Sequence, residues 1–123
     1  MQSTTTHRKI WIGRWLIAVA ILHTVAAGIF FSDVFISILQ RGLFDTVGRD
    51  PMTAAGVWFL LFGAVLALMG MAIHTLEQTN NFTSARAIGV GTLLLAILGV
   101  VLMPDSGFWL AFPAAIGLLR INK

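Results

Sequence analysis

Three long apolar runs constrain what this chain can fold into. They cover residues 15–31, 52–73 and 87–103, and none of them contains an Asp, Glu, Lys or Arg. A helix rises about 1.5 Å per residue, so roughly 17 to 25 apolar residues cross a hydrocarbon core of about 30 Å once. The chain is 58% hydrophobic and only 11% charged, whereas a soluble domain carries about a quarter charged residues. The sequence therefore predicts a membrane protein.

The predicted architecture is all-α: a four-helix transmembrane bundle in one domain, residues 1–123. We expect spans at about residues 10–31, 51–74, 85–103 and 107–121. The polar start with its basic residues imitates a signal peptide, but the apolar run that follows is too long for one, which favours a retained span. A polar turn is expected at residues 75–84. The sequence at 104–107, Pro-Asp-Ser-Gly, breaks the third helix.

The fourth span is short, and its predicted length is about 22 Å. A helix packed on a bundle tolerates that shortfall if Arg120 extends its charge to the surface. A full crossing is the prediction, and a re-entrant segment is the open alternative.

The long connection at residues 32–50 also has a pattern. Apolar residues recur there at helical spacing, which predicts a short amphipathic helix lying in the membrane interface between spans 1 and 2. They are Val34, Phe35, Ile38 and Leu39. Asp50 followed by Pro51 predicts an N-cap and a first helical residue, because the carboxylate accepts orphan N–H bonds and proline has none to offer.

Positive charges indicate the orientation. One side of the predicted bundle holds most of the cations, which are Arg8, Lys9, Arg14, Arg86, Arg120 and Lys123. The other side holds only Arg41 and Arg49. We expect the protein to be a multi-pass protein of the inner (plasma) membrane. The positive-inside rule then predicts that both termini are cytoplasmic. The cations form no patch or stripe, so we expect no nucleic-acid partner. The expected partner is the lipid bilayer, with a homo-oligomer or a second membrane protein left open.

Small residues one helical turn apart predict where the spans pack. Because lipid tails are as apolar as leucine, close backbone approach must hold such a bundle together. The candidates are Ala20, Thr24 and Gly28 in span 1, Gly63 and Ala67 in span 2, and Ala85 and Gly89 in span 3.

Counting residues from the outer membrane surface brings several polar or amphipathic side chains to one depth. His23 and Trp58 fall about 10 to 12 Å below that surface, and the short fourth span draws the turn at 105–107 about 8 to 9 Å inward. The candidate ligand pocket consists of His23, Trp58, Asp105, Ser106 and Trp109. The structural alternative is that His23 bonds a backbone carbonyl or Asp105, that Asp105 caps the fourth helix, and that the tryptophans anchor the interface.

The sequence predicts no cofactor, no metal and no catalytic residue. His23 and His74 are separated by about 20 Å of helix depth, so one protomer cannot hold a haem between them. Cysteine is absent, which excludes thiolate ligands, and the remaining His and Asp residues show no ligand spacing.

Three segments together carry a resemblance. They are His23-Thr24 with Gly28, the stretch 56–59 with Gly63, and the stretch 104–110. Over about residues 11–119 the chain resembles a family of small four-helix bacterial membrane proteins of unknown function that is distantly DoxX-like. The resemblance implies an architecture and no reaction. The family's motif residues correspond to His23, Trp58, Ser106, Gly107 and Trp109.

Two functions remain open from the sequence. The leading prediction is a small integral membrane protein that packs or binds without catalysis. The alternative is a membrane enzyme or carrier that binds a small apolar ligand, such as a quinone, an isoprenoid or a lipid, in an outward-facing pocket near His23.

Overall fold

The computed structural model describes residues 9–121 and is helical throughout its regular structure. The elements are α1 (Ile12–Phe30), α2 (Ser32–Arg41), α3 (Pro51–Thr79), α4 (Phe82–Leu102), a 3₁₀ turn (Gly107–Leu110) and α5 (Ala111–Leu119). The all-α prediction is confirmed. The predicted polar segment before Lys9, and Lys123 at the other end, lie outside these residues.

Three of the helices, α1, α3 and α4, are long and apolar enough to cross a membrane. They correspond to the first three predicted spans. The fourth predicted span is a shorter apolar helix, Gly107–Leu119, which begins as a 3₁₀ turn and continues as α5. At about 2.0 and 1.5 Å of rise per residue, these two pieces together are roughly 22 Å long.

The connection between α3 and α4 is much tighter than predicted. The expected polar turn at 75–84 is wrong, because α3 continues to Thr79 and α4 begins at Phe82. Asn80 reverses the chain with a left-handed φ of 57°, and the Asn81 side chain accepts a hydrogen bond from the backbone of Ser84. Asparagine tolerates both conformations because its short amide bonds to the local backbone. The additional C-terminal turn of α3 carries Glu77, which is buried.

The helices associate as two pairs. α1 packs mainly on α3, and α4 packs mainly on α5, with fewer contacts between the pairs. Along α3 the face toward α1 repeats every seven residues as Gly56, Gly63 and Gly70, all buried. A methyl group on Gly70 would lie 3.0 Å from the carbonyl oxygen of Gly13 on α1. Glycine is required here because the two backbones approach too closely for a Cβ.

Most of the predicted small packing residues lie at these contacts. Ala20, Gly63, Ala85 and Gly89 are buried. Gly28 is exposed, and a methyl group there would meet nothing within 4 Å. Its prediction as a packing residue was wrong, since the face of α1 that follows α3 continues from Ala20 to Ala27, which is fully buried, and Gly28 is turned away from it.

Four helix ends meet at one end of the molecule. A methyl group on Gly117 of α5 would touch Trp11 and Ile12 at the start of α1, and one on Gly13 would touch His74 near the end of α3. The guanidinium of Arg86, near the start of α4, donates to the Ile121 carbonyl just after α5 at 3.3 Å. A cation at a helix C-terminus complements the helix dipole. Both ends of the described chain therefore lie beside the turn that joins α3 and α4.

The opposite end holds α2 and the start of α3. Asp50 caps α3 as predicted, because its carboxylate accepts from the backbone N–H and the hydroxyl of Thr53, and Pro51 is the first helical residue. These hydrogen bonds from Thr53 lower the pKa of the Asp50 carboxyl below its ordinary value. A helix also occupies the segment predicted to be amphipathic, and of its residues only Ile38 is buried.

Candidate functional site

A cavity of about 570 Å³ lies between the two helix pairs. It is lined by α1 between residues 16 and 30, by α3 between 59 and 69, by α4 between 92 and 96, and by residues 103–111. Along α1 this is roughly 21 Å of helix. The lining is apolar apart from four side chains, His23, Thr92, Asp105 and Ser106. The shape is that of a slot long enough for an extended chain.

His23 is held in this slot by α3. Its Nε2 bonds the backbone carbonyl of Phe59 at 2.8 Å, and its ring stacks on the Phe59 ring with centroids 4.0 Å apart and planes 16° from parallel. The ring also meets Phe62 edge-on, with centroids 5.4 Å apart. The bond to a backbone carbonyl is one of the two structural alternatives named for this histidine, and the same side chain lines the cavity.

The turn after α4 brings Asp105 and Ser106 to the same cavity. Phe108 fixes this turn, because its ring lies against Gly99 of α4 so closely that a methyl group on that glycine would be 2.3 Å from the ring. Ser106 caps the 3₁₀ turn by accepting from the backbone N–H of Phe108 at 3.4 Å. The cap of the fourth helix is thus Ser106 rather than Asp105, which was the residue expected in that role.

The two tryptophans of the predicted pocket lie elsewhere. Trp58 is 72% exposed and Trp109 is 56% exposed. Neither of them is among the described residues that line the cavity. Trp58 follows Gly56 by two positions, which turns it about 200° around α3, away from the glycine face that packs on α1. The indole of Trp109 folds back and donates to the Pro104 carbonyl at 2.8 Å. The structure therefore brings together His23, Asp105 and Ser106.

Another tryptophan, Trp15, connects the two helix pairs. The indole N–H of Trp15 on α1 donates to the Leu110 carbonyl at 2.8 Å, where the 3₁₀ turn passes into α5. This bond satisfies a carbonyl at a helix junction and ties α1 to Leu110, a residue that lines the cavity. It was not anticipated from the sequence.

The most important residue missed by sequence analysis is Glu77. Only 2% of it is exposed, and its carboxylate accepts from the backbone N–H groups of Trp11, Ile12 and Gly13 at 3.0, 3.3 and 2.7 Å. These donors are orphan groups at the start of α1, and a carboxylate also complements the positive end of the helix dipole. One side chain of α3 thus caps α1. The signal was present as the seven-residue spacing that continues from Gly70 to Glu77.

Neither of the membrane histidines has the surroundings of a metal ligand. His74 contacts the amide of Gln78 at 3.3 Å, and its Nδ1 is buried without a hydrogen-bond partner in residues 9–121. Within that same range no group of three or more His, Cys, Asp or Glu side chains is placed to hold a metal ion.

Comparison with known proteins gives a family and no activity. No curated protein and no solved structure matches the chain. A family model described as a family of unknown function matches residues 7–123, which is nearly the whole sequence. This match shows that the chain belongs to the family of unknown function DUF6463.

Proposed function

We propose that this protein is a multi-pass membrane protein that binds a lipid-like ligand, without catalysis, in the cavity between its helix pairs. The cavity is the observation that carries the proposal. Its volume of about 570 Å³ falls in the range of about 300 to 1,000 Å³ that is typical of small-molecule sites. Its apolar walls suit a hydrocarbon chain, and its few polar groups suit one small head group.

The exposure of the cavity walls supports an apolar occupant. Leu22, Phe62 and Val65 line the cavity and are 57%, 41% and 58% exposed. Apolar surface gains free energy when it leaves water. These walls therefore favour contact with a hydrocarbon chain over contact with water.

The proposal includes a four-helix bundle with both termini in the cytoplasm, in a bacterial inner membrane, as the DoxX-like resemblance suggests. Four of the described cations support this orientation, since they lie near the end where α1 begins and α5 finishes. They are Lys9, Arg14, Arg86 and Arg120. Only Arg41 and Arg49 lie at the end that holds α2. In this arrangement the short fourth helix completes an even number of crossings, and the cavity opens toward the outer side.

The proposal also places α2 in the outer interface as an amphipathic helix. Three large apolar side chains support it: Leu39 in α2 is 81% exposed, and Leu43 and Phe44, which follow the helix, are 78% and 99% exposed. Such side chains are stable at the surface if they insert into the acyl chains of the bilayer. The bilayer is thus the proposed partner of this face. Self-association is tested by measuring the size of the protein purified in mild detergent.

The binding proposal is tested by filling the cavity. Ala26 lines it and is half-buried, whereas Ala18 lies on the same helix and is exposed outside it. We would purify the wild type, A26F and A18F in mild detergent, extract each in organic solvent and measure bound lipid per protein by mass spectrometry. The wild type and A18F should retain the same lipid, and A26F should lose most of it. Equal lipid in all three would contradict the proposal. A carrier or enzyme for the same ligand would use the same cavity, so this experiment is also the first test of the alternative function.

A further inference from the structure

The hydrogen bond of His23 determines which of its ring nitrogens is left to meet a ligand. The backbone carbonyl of Phe59 can only accept, so the Nε2 that bonds it at 2.8 Å must carry the hydrogen. In a neutral imidazole the other nitrogen is then an acceptor. A neutral His23 that donates through Nε2 therefore offers the lone pair of Nδ1.

The orientation of the ring gives the direction of that lone pair. The Cδ2 edge of His23 faces α3, since a methyl group on Gly63 would lie 3.2 Å from Cδ2. Nδ1 is on the opposite edge of the ring and so faces away from α3. Because His23 lines the cavity that separates α1 and α3 from the other helix pair, this edge is the one available to a bound molecule.

The other polar groups of the cavity are mostly acceptors as well. The hydroxyl of Thr92 already donates to the Ile88 carbonyl at 2.8 Å, which leaves its lone pairs. The Asp105 carboxylate only accepts when ionised. Ser106 accepts from Phe108 through Oγ, and its hydroxyl hydrogen is the one donor among the four side chains that make up the polar part of the lining. Among these four side chains acceptors thus outnumber donors, and Asp105 places a carboxylate at the turn.

From this balance we infer that the ligand is an uncharged lipid whose polar end is a hydroxyl group. This inference rests on the proposed binding function and specifies its substrate class. A hydroxyl donates to His23 or Asp105 and can accept from Ser106. Asp105 is exposed at the turn that borders the cavity, and its charge would repel the charge of a phosphate or a carboxylate held beside it. An ether or a quinone carbonyl has no hydrogen to donate, which leaves the acceptors unpaired. An isoprenoid alcohol and a quinol share the required chemistry.

Competition binding distinguishes these classes. Wild-type protein in nanodiscs would be saturated with tritiated farnesol and competed with unlabelled farnesol, farnesyl methyl ether and farnesyl phosphate, which share one tail. Farnesol should compete at least tenfold more strongly than the ether or the phosphate, as expected for the loss of one hydrogen bond or the addition of one repulsive charge. A decyl quinol and its quinone form the second matched pair. Stronger competition by the quinol than by farnesol would assign the hydroxyl to a quinol, and the reverse order to an alcohol.

Two variants connect the preference to its residues. D105N should improve competition by farnesyl phosphate about tenfold, whereas D33N, which removes an exposed carboxylate of α2 outside the cavity, should leave it unchanged. H23F keeps an aromatic ring on Phe59 but removes the acceptor Nδ1, so it should reduce the preference for farnesol over its methyl ether, with Asp105 left as an acceptor. Should H23F fail to fold, the D105N comparison still decides the inference.

The outcomes distinguish a failure of the proposed binding function from a failure of the hydroxyl inference. If tritiated farnesol does not bind and no other probe stabilises the protein, both the proposed function and this inference fail. If the probes bind but the ether or the phosphate competes as well as farnesol, the binding function stands and the hydroxyl inference is overturned. A D105N effect no larger than that of D33N would also overturn it.

Discussion

Replacing Glu77 with alanine should destabilise the protein more than any other single change at the end where the termini lie. The side chain is 2% exposed and accepts from three consecutive backbone N–H groups at the start of α1. Without it, those donors are left in a site where the packing of Gly13 on α3 leaves little room for water. Leaving a buried hydrogen-bond donor unpaired costs about 1 to 3 kcal/mol, and the loss of a carboxylate at the positive end of a helix dipole adds about 0.3 to 2 kcal/mol.

The assay is unfolding of the purified protein in mixed micelles by titration with a denaturing detergent, which gives the free energy of unfolding. E77A should lose about 3 to 5 kcal/mol, the sum of unpaired N–H donors and the lost interaction with the helix dipole. E77Q should fall between E77A and the wild type, because its amide oxygen still accepts while its NH₂ group faces an N–H donor. The matched control is T75A, since Thr75 is exposed on the same helix and bonds only its own helix backbone among the contacts described.

Hydrogen exchange adds a local test of the same reasoning. The amides of Trp11, Ile12 and Gly13 should exchange faster in E77A, while amides in the middle of α1 should change much less. A loss below about 1 kcal/mol in E77A, or unchanged protection of these three amides, would refute the role of Glu77 as the cap of α1.

Three further predictions follow from the packing and the caps, each measured as a shift in thermal unfolding in detergent. G13A should lower the free energy of unfolding by about 3 kcal/mol, because its methyl group would lie 2.5 Å from the His74 backbone nitrogen. G91A, whose methyl group would meet nothing within 4 Å, should lose no stability. Equal effects of the two substitutions would contradict the close helix contact. W15F should lose about 1 kcal/mol with its hydrogen bond, and W58F, at an exposed position, should match the wild type; a silent W15F would refute this contribution. The lowered pKa of Asp50 implies a contribution to stability that is present above the unfolded pKa of 3.8 and is lost as the pH falls through the lower folded pKa. D50N should therefore lose less stability than the wild type as the pH falls below 3.8. Parallel pH profiles of the two proteins would contradict this contribution of Asp50.

The features predictable from the sequence are those with a local cause. The long helices follow from uninterrupted apolar runs, and the start of α3 follows from an acidic cap before a proline. The break after α4 follows from Pro104 and Gly107. In each of these cases the residues that determine the structure are neighbours along the chain.

The features that could not be predicted depend on the rotation of one helix against another. Trp58 shares its membrane depth with His23, but depth alone does not say which face of α3 it occupies, and the glycine face turns it outward. Glu77 lies in a stretch of polar residues that suggests a solvent-exposed turn. Its burial becomes understandable only when the start of α1 lies against it, some 65 residues away along the chain.

The candidate site shows the same division. Counting residues along the helices placed His23 near the turn that contains Asp105 and Ser106, and the structure brings all three to one cavity. It could not reveal the volume of that cavity, because the volume depends on how far apart the two helix pairs lie. The tautomer of His23 was equally out of reach, since it depends on the Phe59 carbonyl of another helix.

The central claim, that a lipid lies between the helix pairs, is tested most directly by photolabelling. A farnesol analogue with a diazirine in its tail would be activated in nanodiscs containing the protein, and labelled peptides would be mapped by mass spectrometry. The account predicts labels on less exposed cavity-lining side chains such as Leu16, Leu66 and Phe108, reduced by excess farnesol. Labels confined to the exposed apolar side chains of α4, such as Leu94, Leu98 and Val101, and unaffected by excess farnesol, would contradict it.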